Sequence, residues 1–272
     1  MTRTSIKADF DQKRVVDLIH RVADDIIRPN FRNPANKARS KTTPQDLQTN
    51  ADIESEQAFK AALDDILPGS LFVGEEEIDE DPSRIERLKQ PDTPVWVVDP
   101  IDGTANFYHG KPVYGLMLSL VFNCQPIHGW IYDIPGERLL AAEAGKGASL
   151  NGEDLMIPDS PAGKTKPIQD CKGFAFRTRK IKDMEARDGR LDLESLRCAA
   201  HEYIGVATGT RDFSIYKNVK PWDHLAGSLI LSEAGGISKH WDASVYDPMR
   251  QDGGIINARH QNIYDAVKAA LD

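Results

Sequence analysis

Residues 95–104 read Val95-Trp96-Val97-Val98-Asp99-Pro100-Ile101-Asp102-Gly103-Thr104, and no other segment restricts the fold as tightly. An apolar, β-branched and aromatic run ends abruptly in two carboxylates, a proline, a glycine and a threonine. Such a run, bounded by turn residues, predicts a buried strand that stops in a tight loop. Asp99 and Asp102 are three residues apart, so the turn can aim both at one small volume. Two carboxylates so placed repel unless something positive lies between them. Oxygen-only ligands suit hard cations, Mg²⁺ above all. Gly103 and Thr104 then offer backbone N–H groups to an anion. Strand, acidic turn and anion nest together point to metal-assisted phosphoryl transfer. The turn alone is insufficient, because aspartate is common in turns, where it bonds its own backbone.

The rest of the chain narrows the class. Its 272 residues are enough for one large or two smaller domains with a sizeable core. A net charge of −8 argues against direct nucleic-acid binding, which needs a basic face. Cys124, Cys171 and Cys198 are odd in number and lack C-x-x-C spacing, so they read as buried thiols in a reducing compartment. The longest apolar stretch, 113–122, is too short to span a membrane. The N-terminus carries Lys7 and Asp9 and no apolar signal core. A cytoplasmic protein is the expectation.

Val16, Ile19, Val22, Ala23, Ile26 and Ile27 fall at helical spacing, closed by Pro29. Residues 37–46 read as a basic, proline-containing loop. A second helix starts near Thr49-Asn50-Ala51-Asp52, buries Ile53, Phe59, Leu63 and Ile66, and ends at Pro68-Gly69. Strands are expected at 71–73, 95–98, 114–122, 127–132 and 139–142, with a turn at Pro135-Gly136. Residues 159–166, rich in Pro, Gly, Ser and Lys, read as a junction between an N-terminal half, 1–158, and a C-terminal half, 159–272. Beyond it come a strand at 173–176, a helix over 193–208, a strand at 212–216, and a helix from Pro221 capped by Gly235-Gly236. A strand at 254–258 and a helix over 263–271 finish the chain. Alternating helices and strands exclude an all-α or all-β fold.

Four acidic stations share one local setting. Glu75 follows a strand and a glycine, Asp99 and Asp102 follow a strand, Asp223 opens a helix behind Trp222, and Asp52 opens an earlier helix. Ends of neighbouring strands and helices are where sites gather in layered α/β proteins. Taken singly, Asp223 also suits a helix cap, and Glu75-Glu76-Glu77 a solvated acidic turn. Together, Gly74-Glu75-Glu76, Asp99-Pro100-Ile101-Asp102-Gly103-Thr104 and Trp222-Asp223-His224-Leu225-Ala226-Gly227 resemble the three signatures of the inositol monophosphatase family, Mg²⁺-dependent and lithium-sensitive sugar phosphatases. The resemblance extends to Pro44-Gln45-Asp46-Leu47-Gln48-Thr49-Asn50-Ala51-Asp52, to Gly145-Lys146-Gly147-Ala148 with Asn151-Gly152, and to Glu233-Ala234-Gly235-Gly236.

That resemblance implies an α+β fold, a layered αβαβα sandwich shared with fructose-1,6-bisphosphatase. The N-terminal half would carry most of the metal site, and the C-terminal half would supply Asp223 and the substrate pocket. It implies two or three Mg²⁺ ions: Glu75, Asp99 and the Ile101 carbonyl hold one, and Asp99, Asp102 and Asp223 a second. Two such ions, about 3.5–4 Å apart, stabilise both the attacking and the leaving oxygen of an in-line displacement. By the same resemblance a metal-bound water is polarised by Glu75 and Thr104, and Asp52 orients the Thr104 hydroxyl. Gly103 and Thr104 grip the phosphate through backbone N–H groups, and Asp102 and Asp223 also face substrate. A homodimer is implied as well. Phosphoryl transfer needs positioning and charge neutralisation more than covalent help, so no nucleophilic side chain is required. His224 is expected in the core or behind the ligands, not among them.

Two segments depart from the family's inositol-phosphate pattern. The acidic residue seven positions before the Trp-Asp aspartate is replaced by Tyr216. Where the family reads Arg-Ser-x-Gly and small residues, this chain has Arg197-Cys198-Ala199-Ala200-His201-Glu202, with Arg197 taken as the retained arginine. Glu202 and Tyr216 are therefore candidates for substrate recognition, although Glu202 would equally pair with Arg197 or face solvent. Arg177, Arg179 and Lys180 form a basic cluster suited either to a second phosphate or to solvent. The expected activity is hydrolysis of a small polyol or sugar monophosphate, nominally inositol 1-phosphate. Histidinol phosphate and nucleotide phosphates of the 3′-phosphoadenosine 5′-phosphate or NADP type are alternatives. A transcription-associated binding role of the extragenic suppressor type is the alternative of another class.

Overall fold

The computed structural model describes residues 10–33, 35–41, 47–158, 167–176, 178–189 and 191–272. Lys7, Asp9, the Pro44-Gln45-Asp46 part of the early acidic segment, the junction at 159–166 and Arg177 lie outside them. Among the described residues two large sheets alternate with three helical layers. The first sheet has seven strands in chain order: β3 (Leu71–Gly74), β4 (Val95–Asp102), β5 (Gly115–Phe122), β6 (Gln125–Asp133), β7 (Arg138–Glu143), β8 (Gly147–Leu150) and β9 (Glu153–Leu155). Only its β3–β4 pair is parallel. A short hairpin, β1 (Ala38–Ser40) with β2 (Leu47–Thr49), precedes it. The second sheet is built from β10 (Lys172–Ala175), β11 (Asp192–Glu194), β12 (Phe213–Tyr216), β13 (Ile237–His240) and β14 (Ile255–Ala258), in the order β11-β10-β12-β14-β13.

Strand periodicity explains the layering. Along β5, Leu116, Leu118 and Leu120 face one core while Met117 and Val121 face the opposite side. Both faces are covered, which is why the strand reads as a nearly unbroken apolar run. On the outer face lie α1 (Gln12–Val22) and α3 (Asn50–Ile66), packed on Trp96, Leu118 and Trp130. Between the sheets lie α7 (Ala199–Thr208) and α8 (Pro221–Glu233), packed on Met117, Ile131 and Leu140. Helix α8 is buried from Pro221 to Leu231 except at Asp223, as expected of a helix apolar nearly all round. Beyond the second sheet, α6 (Arg179–Asp188) and α9 (Gln261–Leu271) cover Phe213, Ile215 and Ile256. The order is αβαβα. Two short helices, α4 (Glu75–Glu80) and α5 (Thr104–Tyr108), start at the ends of β3 and β4, and α2 (Arg28–Asn30) ends the first helical arm. Among the described residues no helix is long and apolar enough to cross a membrane.

Several local expectations are corrected. The first helix runs through a π-helical turn, Ala23–Ile27, before it ends at Asn30, one residue past Pro29. Residues 37–46 are not all loop, since Ala38 to Ser40 pair with Thr49 to Leu47. On α3, Ile53 is only half-buried while Asp52, Ser55 and Glu56 are buried, so the first turns present a polar face inward. The helix over 193–208 begins only at Ala199. Arg197 at φ +54 and extended Cys198 break it, with β11 before them.

Candidate active site

Residues three apart on a regular strand point to opposite faces. Asp99 and Asp102 do not, because the β4–β5 register shifts between them: Asp99 opposes Met117 and Asp102 opposes Gly115. The extra residue of the bulge turns Asp102 back to the side of Asp99. Pro100 has no N–H to contribute to the ladder, and the Ile101 N–H donates to Asp99 Oδ1 at 3.0 Å. Gly103 follows at φ +86, and a Cβ there would lie 2.9 Å from the Val113 carbonyl oxygen, so only glycine makes this corner without strain. Asp223 comes from the first turn of α8, where unbonded N–H groups favour a negative charge. Carboxylate oxygens of Asp99, Asp102 and Asp223 lie within 4.8 Å of one another.

Glu75 opens α4 on the far wall. That turn is seated by Glu56 of α3, whose carboxylate accepts the N–H of Glu76 at 2.8 Å and of Glu77 at 3.0 Å. Gly74 has no side chain because a Cβ would overlap the Glu56 carboxyl at 2.2 Å. Thr104 donates its hydroxyl within a pair of acceptors, the Ile101 carbonyl at 2.9 Å and Asp52 Oδ1 at 3.1 Å. Asp52 also accepts the Thr49 N–H at 2.8 Å and the Thr49 hydroxyl, completing a capping box on α3. Glu75, Asp99, Ile101, Asp102, Gly103, Thr104 and Asp223 thus share one cleft of ≈ 590 Å³, with Asp52 buried behind Thr104.

The electrostatics of this cleft are unfavourable without a cation. Burial, then repulsion from Glu75 and neighbouring aspartates, holds Asp99 and Asp223 well above the usual carboxylate range. Burial also raises Asp102, although the Ala200 N–H and the Cys198 thiol donate to it. Burial pushes Asp52 up to about 6, Glu56 to about 7 and Glu76 to about 8. Sequence reasoning missed the group that offsets part of this charge. Lys41, at the end of β1, is buried and holds Glu75 at 3.2 Å, Glu76 at 2.8 Å and Asp79 at 2.6 Å. Its pKa is raised because those carboxylates outweigh the penalty of burial. Lys220 adds a longer contact to Glu75 at 3.7 Å. A buried, oxygen-only, mutually repelling donor set fits a hard divalent cation.

Asp102 also ties the end of β4 to the start of α7. Its Oδ2 accepts the Ala200 N–H at 2.6 Å and the Cys198 thiol at 3.1 Å. That N–H is free because α7 begins at Ala199; in a helix started at 193 it would be bonded internally. A second cavity of ≈ 470 Å³ adjoins the cleft here, and Asp102, Phe176, Arg197 and Asp223 line both. Glu202 and Tyr216 line this second cavity. Glu202 is neither paired with the Arg197 side chain nor exposed. It is buried, raised to about 7 by burial, and accepts the Leu196 N–H at 2.9 Å. The Tyr216 hydroxyl lies near enough to influence that carboxyl but makes no well-formed hydrogen bond. Arg197 at φ +54 adopts the conformation glycine favours. It therefore stands at the glycine of Arg-Ser-x-Gly, with Ser195 at the serine, and is not the retained arginine. His224 is buried and bonds the Tyr203 hydroxyl at 3.0 Å, away from the acidic cluster. Arg179 and Lys180 lie on α6, Arg179 almost fully exposed and Lys180 over the Trp241 ring. Cys171 and Cys198 are buried and Cys124 is half-buried, all as free thiols.

The inositol monophosphatase family model matches residues 12–272. Fructose-1,6-bisphosphatase/inositol-1-monophosphatase of Thermotoga maritima is 30% identical over 202 residues, 72% of each chain. Inositol monophosphatase 2 of Solanum lycopersicum is 33% identical over 228 residues, covering 80% of this chain and 84% of that one. Among solved structures, an IMPase of Thermotoga maritima superposes with a TM-score of 0.79 at 24% identity, over 96% of both chains. An IMPase/NADP phosphatase reaches 0.81 at 21% identity, over 100% of this chain and 97% of that one; both establish the αβαβα fold. The chain belongs to the inositol monophosphatase family. It is accordingly an enzyme of the phosphoric monoester hydrolase class, and that family is metal-dependent.

Proposed function

We propose that this chain is a Mg²⁺-dependent phosphomonoesterase that hydrolyses a small polyol or sugar monophosphate, nominally inositol 1-phosphate. The observation that carries the reading is the meeting of Asp99, Asp102 and Asp223 from a bulged strand end and a helix start, with Thr104 held by Asp52 beside them. Glu75, Asp99 and the Ile101 carbonyl would hold one ion, and Asp99, Asp102 and Asp223 another. When bound, Mg²⁺ supplies charge neutralisation on the phosphoryl oxygens and lowers the pKa of water. Glu75 and Thr104 orient the attacking water, and Asp52 fixes the Thr104 hydroxyl. Backbone N–H groups of Gly103 and Thr104 receive the phosphate oxygens. The test is turnover of a phosphomonoester panel. Activity should vanish in excess chelator and return with Mg²⁺, and Ca²⁺ should substitute poorly because it tolerates looser geometry. Full activity in chelator sinks the proposal. Co-purification with RNA polymerase and no turnover would favour the binding role instead.

Glu202 and Tyr216 form the floor of the leaving-group side in this reading. A buried carboxyl there favours a leaving group that offers a hydroxyl or ammonium, and penalises one that leaves it unpaired. This favours histidinol phosphate as the second candidate substrate. Glu202→Gln keeps an acceptor for the Leu196 N–H and removes the charge. It should raise KM more for histidinol phosphate than for a neutral polyol phosphate while Mg²⁺ affinity stays constant. Equal changes for both would restrict Glu202 to holding the 196–197 backbone.

A further inference from the structure

One residue that lines both cavities has no part in the proposed hydrolysis itself. Arg197 holds its backbone at φ +54, a conformation that costs a non-glycine residue and persists where the surroundings impose it. Its side chain is exposed, and its guanidinium lies 5.6 Å from the centroid of the Phe176 ring. Phe176 is itself 59% exposed, one of few large apolar side chains so displayed. Both residues line the acidic cleft and the adjoining cavity alike. Among the described residues no carboxylate pairs with the guanidinium: Glu202, the nearest acidic candidate by sequence, turns to the backbone of Leu196 instead. A guanidinium set over a ring keeps its edge of N–H donors free. That edge is a fork matched to a carboxylate or a phosphate. Exposed Lys217 lines the same second cavity and adds positive potential there.

We propose that Arg197, backed by Phe176, is a specificity-determining residue that binds a second anionic group, carboxylate or phosphate, carried by the alcohol this enzyme releases. The position follows from the shared walls. A phosphoryl group seated at Asp99, Asp102 and Asp223 directs its ester oxygen past Asp102 toward the second cavity. Arg197 lines the walls of both cavities where they adjoin. The buried Glu202 carboxyl reads a donor at the cavity floor, and Arg197 reads an acceptor at its rim. The proposal rests on the phosphatase reading and deepens it.

Two matched substrate pairs test it with the Mg²⁺-loaded enzyme: glycerol 3-phosphate against 3-phosphoglycerate, and fructose 1-phosphate against fructose 1,6-bisphosphate. In at least one pair the wild type should prefer the doubly anionic member in kcat/KM. Arg197→Gln should remove about 10-fold to 100-fold from that member, the range for a lost charged hydrogen bond. The loss should lie in KM, with kcat and the neutral member within about twofold. The pair that responds tells carboxylate from phosphate. Arg197→Lys should recover only part of the preference, because an ammonium neither forks nor stacks in the same way. Arg197→Gly should show the same loss of preference while raising the melting temperature, since it relieves the left-handed backbone. Equal losses on both members of each pair, or a wild type with no preference in either, overturns the proposal and leaves the phosphatase reading standing. A wild type that hydrolyses none of the four, nor inositol 1-phosphate, nor histidinol phosphate, overturns both.

Discussion

Replacing Asp102 by asparagine separates the proposed metal-binding role of this residue from its place in a turn. Asp102 shares a cluster in which carboxylate oxygens of three aspartates lie within 4.8 Å of one another. At an effective dielectric of about 20, two unit charges at that spacing repel by roughly 3.5 kcal/mol. Asp102 takes part in two such pairs, so complete ionisation would cost about 7 kcal/mol from its pairs. Part of this is relieved by protonation, consistent with the raised pKa of all three groups. Against the relief stands the loss of a charge-assisted bond from the Ala200 N–H, worth about 1–2 kcal/mol. An asparagine oxygen can still accept that N–H, so the local geometry survives. The metal-free variant should therefore be more stable than the wild type by about 1–3 kcal/mol, or about 2–10 °C in a chain of this size. With Mg²⁺ that advantage should be cancelled or reversed. The wild type gains about 2.7 kcal/mol when Mg²⁺ reaches a hundred times its dissociation constant, and the variant loses most of that gain. Turnover should fall at least about 100-fold. Thermal melts in chelator and across a Mg²⁺ titration, with steady-state kinetics on the best phosphomonoester, measure all three quantities. A variant that keeps the Mg²⁺-dependent shift and near-normal kcat would show that Asp102 is a turn residue only.

Lys41→Met removes the buried ammonium from Glu75, Glu76 and Asp79. Stripping one partner from a buried ion cluster costs about 3–5 kcal/mol, so the metal-free melting temperature should drop by several degrees, with Mg²⁺ restoring part of it. An unchanged melt in chelator contradicts the assignment. Burial holds Glu56, Glu76 and Glu202 at about 7, 8 and 7, against about 4.3 for an unfolded glutamate. The native metal-free chain therefore binds more protons than the unfolded chain between roughly pH 4.5 and 8, and its stability falls as the pH rises through that window. Melts in chelator at pH 5, 6, 7 and 8 should decline in that order, and a rising series refutes burial of these three glutamates as the controlling cause. Gly103→Ala forces a Cβ into the left-handed region at 2.9 Å from the Val113 carbonyl oxygen. It should cost about 1–3 kcal/mol in stability by denaturant titration and lower Mg²⁺ affinity with it; a neutral change would mean the corner is free to adjust.

The acidic residues of the site were legible in the sequence because each sits at an abrupt change of pattern. Asp99 and Asp102 end an apolar run, Glu75 follows a strand and a glycine, and Asp223 opens an apolar helix. Local pattern also placed most strands of the first sheet to within a few residues. It failed where a tertiary partner decides. Asp52 and Glu56 turn inward on α3 because the Thr104 hydroxyl and the α4 backbone N–H groups donate to them, whereas periodicity counted only apolar residues and chose Ile53. The helix expected over 193–208 looked continuous by propensity. Asp102, 98 residues away along the chain, claims the Ala200 N–H, and that bond requires a helix start nearby. Lys41 lay in what read as a solvated basic loop, and nothing within that loop signals its burial among three carboxylates. Arg197 was matched by residue type to an arginine of the family motif, but its left-handed backbone marks the glycine of that motif.

The tether between Asp102 and the start of α7 runs chiefly through a main-chain group, the Ala200 N–H at 2.6 Å. A backbone donor is present whatever side chain the position carries, proline excepted. The carboxylate therefore keeps this partner whatever side chain position 200 carries, whereas apolar exchanges at 201 and 202 would break the bonds of His201 to the Tyr114 carbonyl and of Glu202 to the Leu196 N–H. On the proposed reading, a change of side chain at 197 alters substrate preference without a compensating change at the aspartates.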